Sequence, residues 1–156
     1  MKVTVRAAGI LKSGPERDMC DDYLKRANML ARGLGFTTIE EIGFDVRAAK
    51  NKAASTQLAL SAHKPADILV ILDEYGKDIG SRDMASKFAR WRDDGHKQLT
   101  ILIGAADGFD RSQFPQNVEI WRLGKPTWPH MLARVMICEQ IYRALSILAR
   151  TPYHRD

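Results

Sequence analysis

Glu139 and Arg143 stand four residues apart, and Arg150 falls two helical turns further along the same stripe. A carboxylate one turn ahead of a guanidinium forms an ion pair along a helix, and helix support is its simplest use. The surrounding stretch is strongly apolar, with Leu132, Val135, Met136, Ile137, Ile141, Leu145, Ile147 and Leu148 pointing in many directions. On such a helix a polar stripe also suits the wall of a site. An aromatic and basic ending follows it, Tyr153-His154-Arg155-Asp156. Ahead of it lies Gly124-Lys125-Pro126-Thr127-Trp128-Pro129. Trp128 suits a core aromatic and a stacking surface for an adenine or another base equally well. His130 reads first as a capping or surface histidine.

Two further segments share the small-residue character of that loop: Leu72-Asp73-Glu74-Tyr75-Gly76-Lys77 and Gly104-Ala105-Ala106-Asp107-Gly108. Each follows a short apolar run. Glycines and alanines let a ligand approach the backbone closely. A tight turn packed on a helix is the simpler reading of any one of them. Three on one edge of a sheet shift the balance towards a small-molecule pocket.

Other chemistries lack their residues. There is no GxxxxGK[ST] phosphate loop and no GxSxG elbow. Gly33-Leu34-Gly35 ends a helical pattern, so it is not a dinucleotide fingerprint. The four histidines (His63, His96, His130 and His154) are isolated and there is no CxxC, which argues against a metal site. Ser146 sits mid-helix, as a solvated or packing serine.

The elements that position these residues alternate in type. Lys2–Ala8 reads as a strand from its alternating Val3, Val5 and Ala7. Pro15 and Glu16 open a helix that Gly33 and Gly35 end. Phe36–Ile42 reads as a second strand, and about Val46 to Ala62 as a peripheral helix. The apolar run from Asp67 to Asp73 fits a strand buried on both faces. Glu74–Ser81 reads as a loop, then Ser81–Arg92 as a helix with Ser81 as N-cap and Met84, Phe88 and Trp91 inward. Gln98–Ile103 is another buried strand, Asp110–Phe114 a short helix or turn, and Val118–Leu123 the last strand. The final helix spans about Met131 to Arg150 and stops at Pro152. Such alternation predicts an α/β three-layer sandwich with a mostly parallel sheet, in one domain over residues 1–156. A helix apolar over more than half its girth must be covered on several sides, so the last one is expected deep in its subunit, against a second subunit, or both.

The chain has 156 residues, 45% hydrophobic and 28% charged, which is ordinary for a soluble globular protein. No uncharged apolar run approaches the ~20 residues of a membrane span, and the N-terminus lacks a signal-peptide core. Cys20 and Cys138 lie far apart in helical patterns, so two reduced thiols in a cytoplasmic protein are expected. The net charge of +5 admits a nucleic-acid partner, but the 24 basic residues form no polybasic block. These patterns alone leave room for a non-enzymatic α/β module that binds a nucleotide or the ribosome.

Several segments together carry a resemblance: LVILDEYGK (Leu69–Lys77), RWRDDG (Arg90–Gly95), LTILIGAADG (Leu99–Gly108), WPHMLARV (Trp128–Val135), EQIYRA (Glu139–Ala144) and the terminal PYHRD. The chain resembles, over essentially its whole length, the RlmH family of bacterial SPOUT methyltransferases, which modify N3 of a pseudouridine in 23S ribosomal RNA. One departure is visible. The family often has Gly-Gly-Pro-Glu-Gly where this chain has Gly104-Ala105-Ala106-Asp107-Gly108.

The resemblance implies a deep trefoil knot through which the C-terminal helix threads, and a homodimer with helices packed across its interface. It implies S-adenosylmethionine held by the knot loops, with Leu72, Gly104, Gly124, Lys125, Pro126, Thr127, Trp128 and Pro129 as contacts. It also implies an acceptor in helix 69 of the assembled ribosome or subunit. Methyl transfer from a sulfonium to a ring nitrogen needs alignment and loss of the N3 proton, and no metal. His154 is the candidate base, because an ordinary histidine titrates near neutrality. Arg143 and Arg155 are candidates for holding phosphate or the uracil face. A terminal tail is mobile by default, so Tyr153, His154 and Arg155 are expected to order when cofactor or RNA arrives. A SPOUT enzyme acting on transfer RNA is the nearest rival within the resemblance.

Overall fold

The computed structural model describes residues 1–116 and 118–155. Five strands form one parallel sheet: β1 (Lys2–Ala8), β2 (Ile39–Phe44), β3 (Ile68–Asp78), β4 (Gln98–Ile103) and β5 (Glu119–Arg122), in the order β2-β1-β4-β3-β5. The central strands are apolar on both faces, as parallel strands covered twice must be. Val3, Val5, Leu99, Ile101 and Val70 face one layer, while Ala8, Leu69, Ile71 and Leu102 face the other.

Four α-helices cover the sheet: α1 (Pro15–Ala31), α2 (Lys52–Leu60), α3 (Ser81–Asp93) and α4 (His130–Leu148). Ala27 and Ala31 of α1, Met84, Phe88 and Trp91 of α3, and Ile137, Ile141 and Leu145 of α4 share one core with the first sheet face. On the opposite face Ala59 of α2 packs with Phe44 and Phe109. α4 contacts both α1 and α3, so it is flanked on two sides as well as backed by the sheet. This accounts for much of its apolar surplus: Ile137, Ile141 and Leu145 are completely buried, each contributing roughly 1.5–3 kcal/mol. Among the described residues no helix is long and apolar enough to cross a membrane.

Several element boundaries differ from expectation, each for a local reason. β2 begins at Ile39 rather than Phe36, because the Asn28 side chain bonds both the N–H and the carbonyl of Ile39 and sets the first rung. Phe36 is instead a core residue. α2 begins at Lys52 rather than Val46: Asp45 accepts from the Arg47 N–H in a tight turn, and Asn51 caps the helix by accepting from the Ala54 N–H. Ser81 is not the N-cap of α3. Gly80 holds that position, and the Ser81 hydroxyl donates to Gln140 on α4 at 2.7 Å.

Arg150 lies beyond the end of α4 with a φ of 55°, so it is off the Glu139–Arg143 stripe. The expected loop from Glu74 is strand as far as Asp78. The β3–β5 pairing is interrupted after Leu72 and resumes at Lys77 and Asp78, where Arg122 forks onto the Asp78 carboxylate. Gly76 permits this close return, since a Cβ there would lie 2.6 Å from the Trp121 backbone.

Candidate active site

The C-terminal ends of β3, β4 and β5 open into one cavity of about 260 Å3. The three small-residue segments meet there, as expected at the carboxyl edge of a parallel sheet. Leu72, Gly104, Gly124, Pro126, Thr127 and Trp128 line it; Lys125 and Pro129 belong to the same loop but do not. Gly104 is tightly confined: a Cβ would meet the Phe109 ring at 3.1 Å and the Gly108 backbone at 3.3 Å. Ala105 pairs with Gly108 in a short antiparallel bridge that closes this loop on itself. Gly124 turns the third loop with a φ of 83°, a conformation that side chains oppose.

Trp128 is neither core nor free. Its indole N–H donates to the Leu123 carbonyl at 2.8 Å, and the ring stays 41% exposed at the cavity. A ring fixed at its polar edge and bare on its surface suits stacking.

Tyr75, from the expected Leu72–Lys77 segment, lines the cavity, and so does His130, whose first reading is a capping or surface histidine; Lys52, Arg111 and Ala133 are lining residues that sequence reasoning passed over. His130 opens α4. Burial and the positive charge of Arg134 push its pKa below the ordinary histidine value, so its imidazole is neutral near pH 7.

Arg134 itself gave no sign in the sequence. It is 1% exposed, and its guanidinium donates to the Ala8 carbonyl, to the Gly9 carbonyl at 2.6 Å and to Glu41 at 3.2 Å. Glu41 also receives Arg17 of α1. One carboxylate thereby ties α1, β2 and α4 together beside the end of β1. Breaking a buried pair of this kind costs about 3–5 kcal/mol. Cys20 and Cys138 pack beside this network as free, buried thiols. Contact with Cys20, and then burial, raise the Cys138 pKa well above the ordinary thiol value.

The terminal tail is docked. The Tyr153 hydroxyl donates to Glu139 at 2.9 Å, and the Tyr153 ring lies 4.5 Å from Tyr142. Arg143 forks its Nε and Nη2 onto the same Glu139 oxygen and covers the Tyr153 ring at 4.7 Å. Arg26 of α1 sits over Tyr142 at 4.3 Å and over Tyr153 at 5.1 Å. Burial, and then the bond to Glu139, raise the Tyr153 pKa above the usual phenol value. Tyr153 is held by its ring contact with Tyr142 and by Glu139, which Arg143 also grips. His154 is half-buried and Arg155 exposed; Asp156 lies outside the described residues.

The two groups of candidates are not together within one chain. His130 and Ala133 face the cavity from the first turn of α4. Glu139 is nine residues further, which is about 13 Å along the axis and half a revolution round it. None of Glu139, Arg143, Tyr153 and His154 lines the cavity. Among the described residues there is also no cluster of three or more His, Cys, Asp or Glu that could hold a metal ion.

Comparison with known proteins gives this arrangement a family. Residues 1–154 match the family model described as "Predicted SPOUT methyltransferase". The chain is 44% identical over 156 residues to Ribosomal RNA large subunit methyltransferase H of Maricaulis maris, covering 100% of both chains. It is 44% identical over 155 residues to the protein of that name from Dinoroseobacter shibae, covering 99% of each. For Hyphomonas neptunium the figure is 43% over 165 residues, again with 99% of each chain. A full-length match of this kind, on a parallel sheet whose small-residue loops converge on one cavity, places the chain in the RlmH family of SPOUT methyltransferases.

Proposed function

We propose that the protein transfers a methyl group from S-adenosylmethionine to N3 of a pseudouridine in helix 69 of 23S ribosomal RNA, on the assembled ribosome or subunit. The observation that carries this reading is the convergence of Leu72, Gly104 and the Gly124–Trp128 loop on one cavity. The cavity fits the cofactor by its surface: glycine backbone, the apolar Leu72 wall and an anchored, half-bare indole suit an adenosine, and the carboxylates of Asp73, Glu74 and Asp107 suit a sulfonium and an ammonium. Gly104, confined against Phe109, is the position where backbone must meet ligand. Lys125 and Pro129 shape the loop from behind.

When bound, the cofactor supplies an electrophilic methyl on a sulfonium sulfur. The chain must align the acceptor nitrogen and receive its proton. His154 is the proposed base, and Arg155 the proposed contact to phosphate or to the uracil face. Arg143 has two of its donors committed to Glu139, which leaves Nη1 as the part of its fork that can reach RNA. Tyr153 positions this group through Glu139.

The cavity and the tail lie at opposite ends of α4, so we infer a homodimer in which the tail of one copy completes the cavity of its partner. Exposed Met19 and Met29 on α1 and Leu132 on α4 are apolar surface available for such an interface. A knotted path is part of the same reading: the chain leaves β5 at the sheet edge and returns as α4 to the middle of the helical layer.

Labelled-methyl transfer to ribosomes lacking the modification, with and without prior pseudouridylation, tests the reaction. Transfer that requires pseudouridine is the expected result; transfer to free transfer RNA alone overturns it. Mixing His154→Ala with Gly104→Val chains tests the shared site. Two inactive homodimers that regain activity on mixing support it, and no recovery despite subunit exchange rejects it.

A further inference from the structure

The cavity has a rim that cofactor binding leaves unexplained. Tyr75, in the irregular part of β3, is 70% exposed, an unusual position for a large aromatic ring. It is also fixed: its N–H donates to the Asp73 carboxylate at 2.9 Å. Arg111, from the 3-10 turn Arg111–Gln113, lays its guanidinium over the ring at 5.0 Å from the centroid. That turn is held in turn by Asp110, which accepts from the Ser112 N–H. Both side chains line the cavity, and Arg111 also lines a second, shallower cavity beside it, with Lys52 and Phe109. The stacked pair therefore stands at the junction of two hollows, with solvent on its free side.

We propose that Tyr75 and Arg111 form a stacking platform for an unpaired base of the RNA substrate, next to the nucleotide that is methylated. This rests on the assignment of the cavity to the cofactor and of RNA as acceptor. Sequence-specific RNA recognition works on unstacked bases laid against aromatic rings and guanidinium planes. A tyrosine backed by an arginine offers both surfaces at once. The local charge favours a base over a backbone phosphate, because Asp73, Glu74, Asp107 and Asp110 stand around Lys52 and Arg111. Across the mouth, Arg122 is occupied by Asp78. Arg111 has no ion-pair partner among the described residues, so its edge can donate to a base that stacks on Tyr75.

The test is steady-state methylation of unmodified ribosomes by Tyr75→Ala, Tyr75→Phe, Tyr75→Trp and Arg111→Ala, alongside calorimetric titration with S-adenosylmethionine. Tyr75→Ala is expected to raise KM for the ribosome about tenfold, with kcat within about twofold. Tyr75→Phe and Tyr75→Trp keep a ring and are expected to stay near the parent. Cofactor affinity and the salt dependence of RNA binding stay unchanged, since no phosphate contact is lost. Arg32→Ala, the same charge change as Arg111→Ala at an exposed position just past α1, leaves KM unaltered. An unchanged KM in Tyr75→Ala, a Tyr75→Phe variant as weak as Tyr75→Ala, or a loss that falls on cofactor affinity overturns the proposal. A parent chain that binds cofactor and methylates ribosomes while these variants do nothing rejects the platform alone. A parent chain that does neither rejects the underlying reading as well.

Discussion

The first turn of α4 and its later turns carry two residue groups built by opposite means. By its first turn the cavity combines glycine backbone, an apolar wall and one anchored indole with a charged rim of Lys52, Asp73, Glu74, Asp107 and Arg111. From its middle to its C-terminal turns the tail cluster is all side chain: two tyrosines, two arginines and a carboxylate that takes four donors from three residues, Arg143, Gln140 and Tyr153. The first kind of site is sensitive to atoms added and tolerant of atoms removed. The second is sensitive to atoms removed. The difference suits the two tasks of the proposed function, one group enclosing the cofactor by shape and the other meeting the RNA acceptor with side chains.

Four measurements would break or sharpen that contrast. The largest effect is expected from ending the chain after Thr151. Methyl transfer should fall by about 10^2 to 10^4, the usual worth of positioned acid–base groups, while calorimetric affinity for S-adenosylmethionine stays within about twofold. Equal loss of both would erase the division of labour. Next is Gly104→Val, which forces a side chain against Phe109 and Gly108. Overpacking costs about 1–3 kcal/mol, so cofactor affinity should drop roughly 5- to 150-fold, with the tail cluster intact by near-ultraviolet circular dichroism.

Tyr153→Phe removes one hydroxyl from Glu139 and should cost about 1 kcal/mol in denaturant unfolding. Its sign with pH is definite. The folded pKa lies above the unfolded value near 10, so the contribution is full below pH 10 and is lost as pH rises towards the folded value. An ultraviolet titration should lose its highest-pH phenol step in this variant. The smallest effect belongs to the other end. His130 has a lowered folded pKa, so the folded state binds its proton less readily than the unfolded chain. Stability should therefore fall as pH drops through about 6.5, the unfolded histidine value, and His130→Gln should flatten that slope.

The sheet and the cavity were readable where pattern and chemistry coincide. The continuous apolar run Ile68–Leu72 and the apolar Leu99, Ile101, Leu102 and Ile103 mark the buried strands, and the glycine-bearing segments after them mark the open edge. Boundaries went astray where a single side chain decides, as Asn28 does for Ile39 and Asn51 does for Ala54. The outer half of β3 was unreadable because its partner is the returning β5 edge, a tertiary fact. Trp128, balanced between core and stacking surface in the sequence, is held outside the core by one bond to Leu123. Arg134 was invisible for the opposite reason. A lone arginine in an apolar helix reads as solvent-facing, and only its three distant acceptors show it to be interior. Tyr75 and Arg111 are 36 residues apart, with no spacing rule to connect them.

The bonds from Arg134 to Ala8 and Gly9 span 126 and 125 residues. They join the end of β1 with α4. β1 is also paired on one side by β4, which is made about 90 residues later. No N-terminal fragment can therefore complete the core. Until α4 is made, Glu41 and the inner face of α1 lack their final partners. Such long-range closure makes folding slow, with a window in which the incomplete sheet can aggregate or recruit a chaperone.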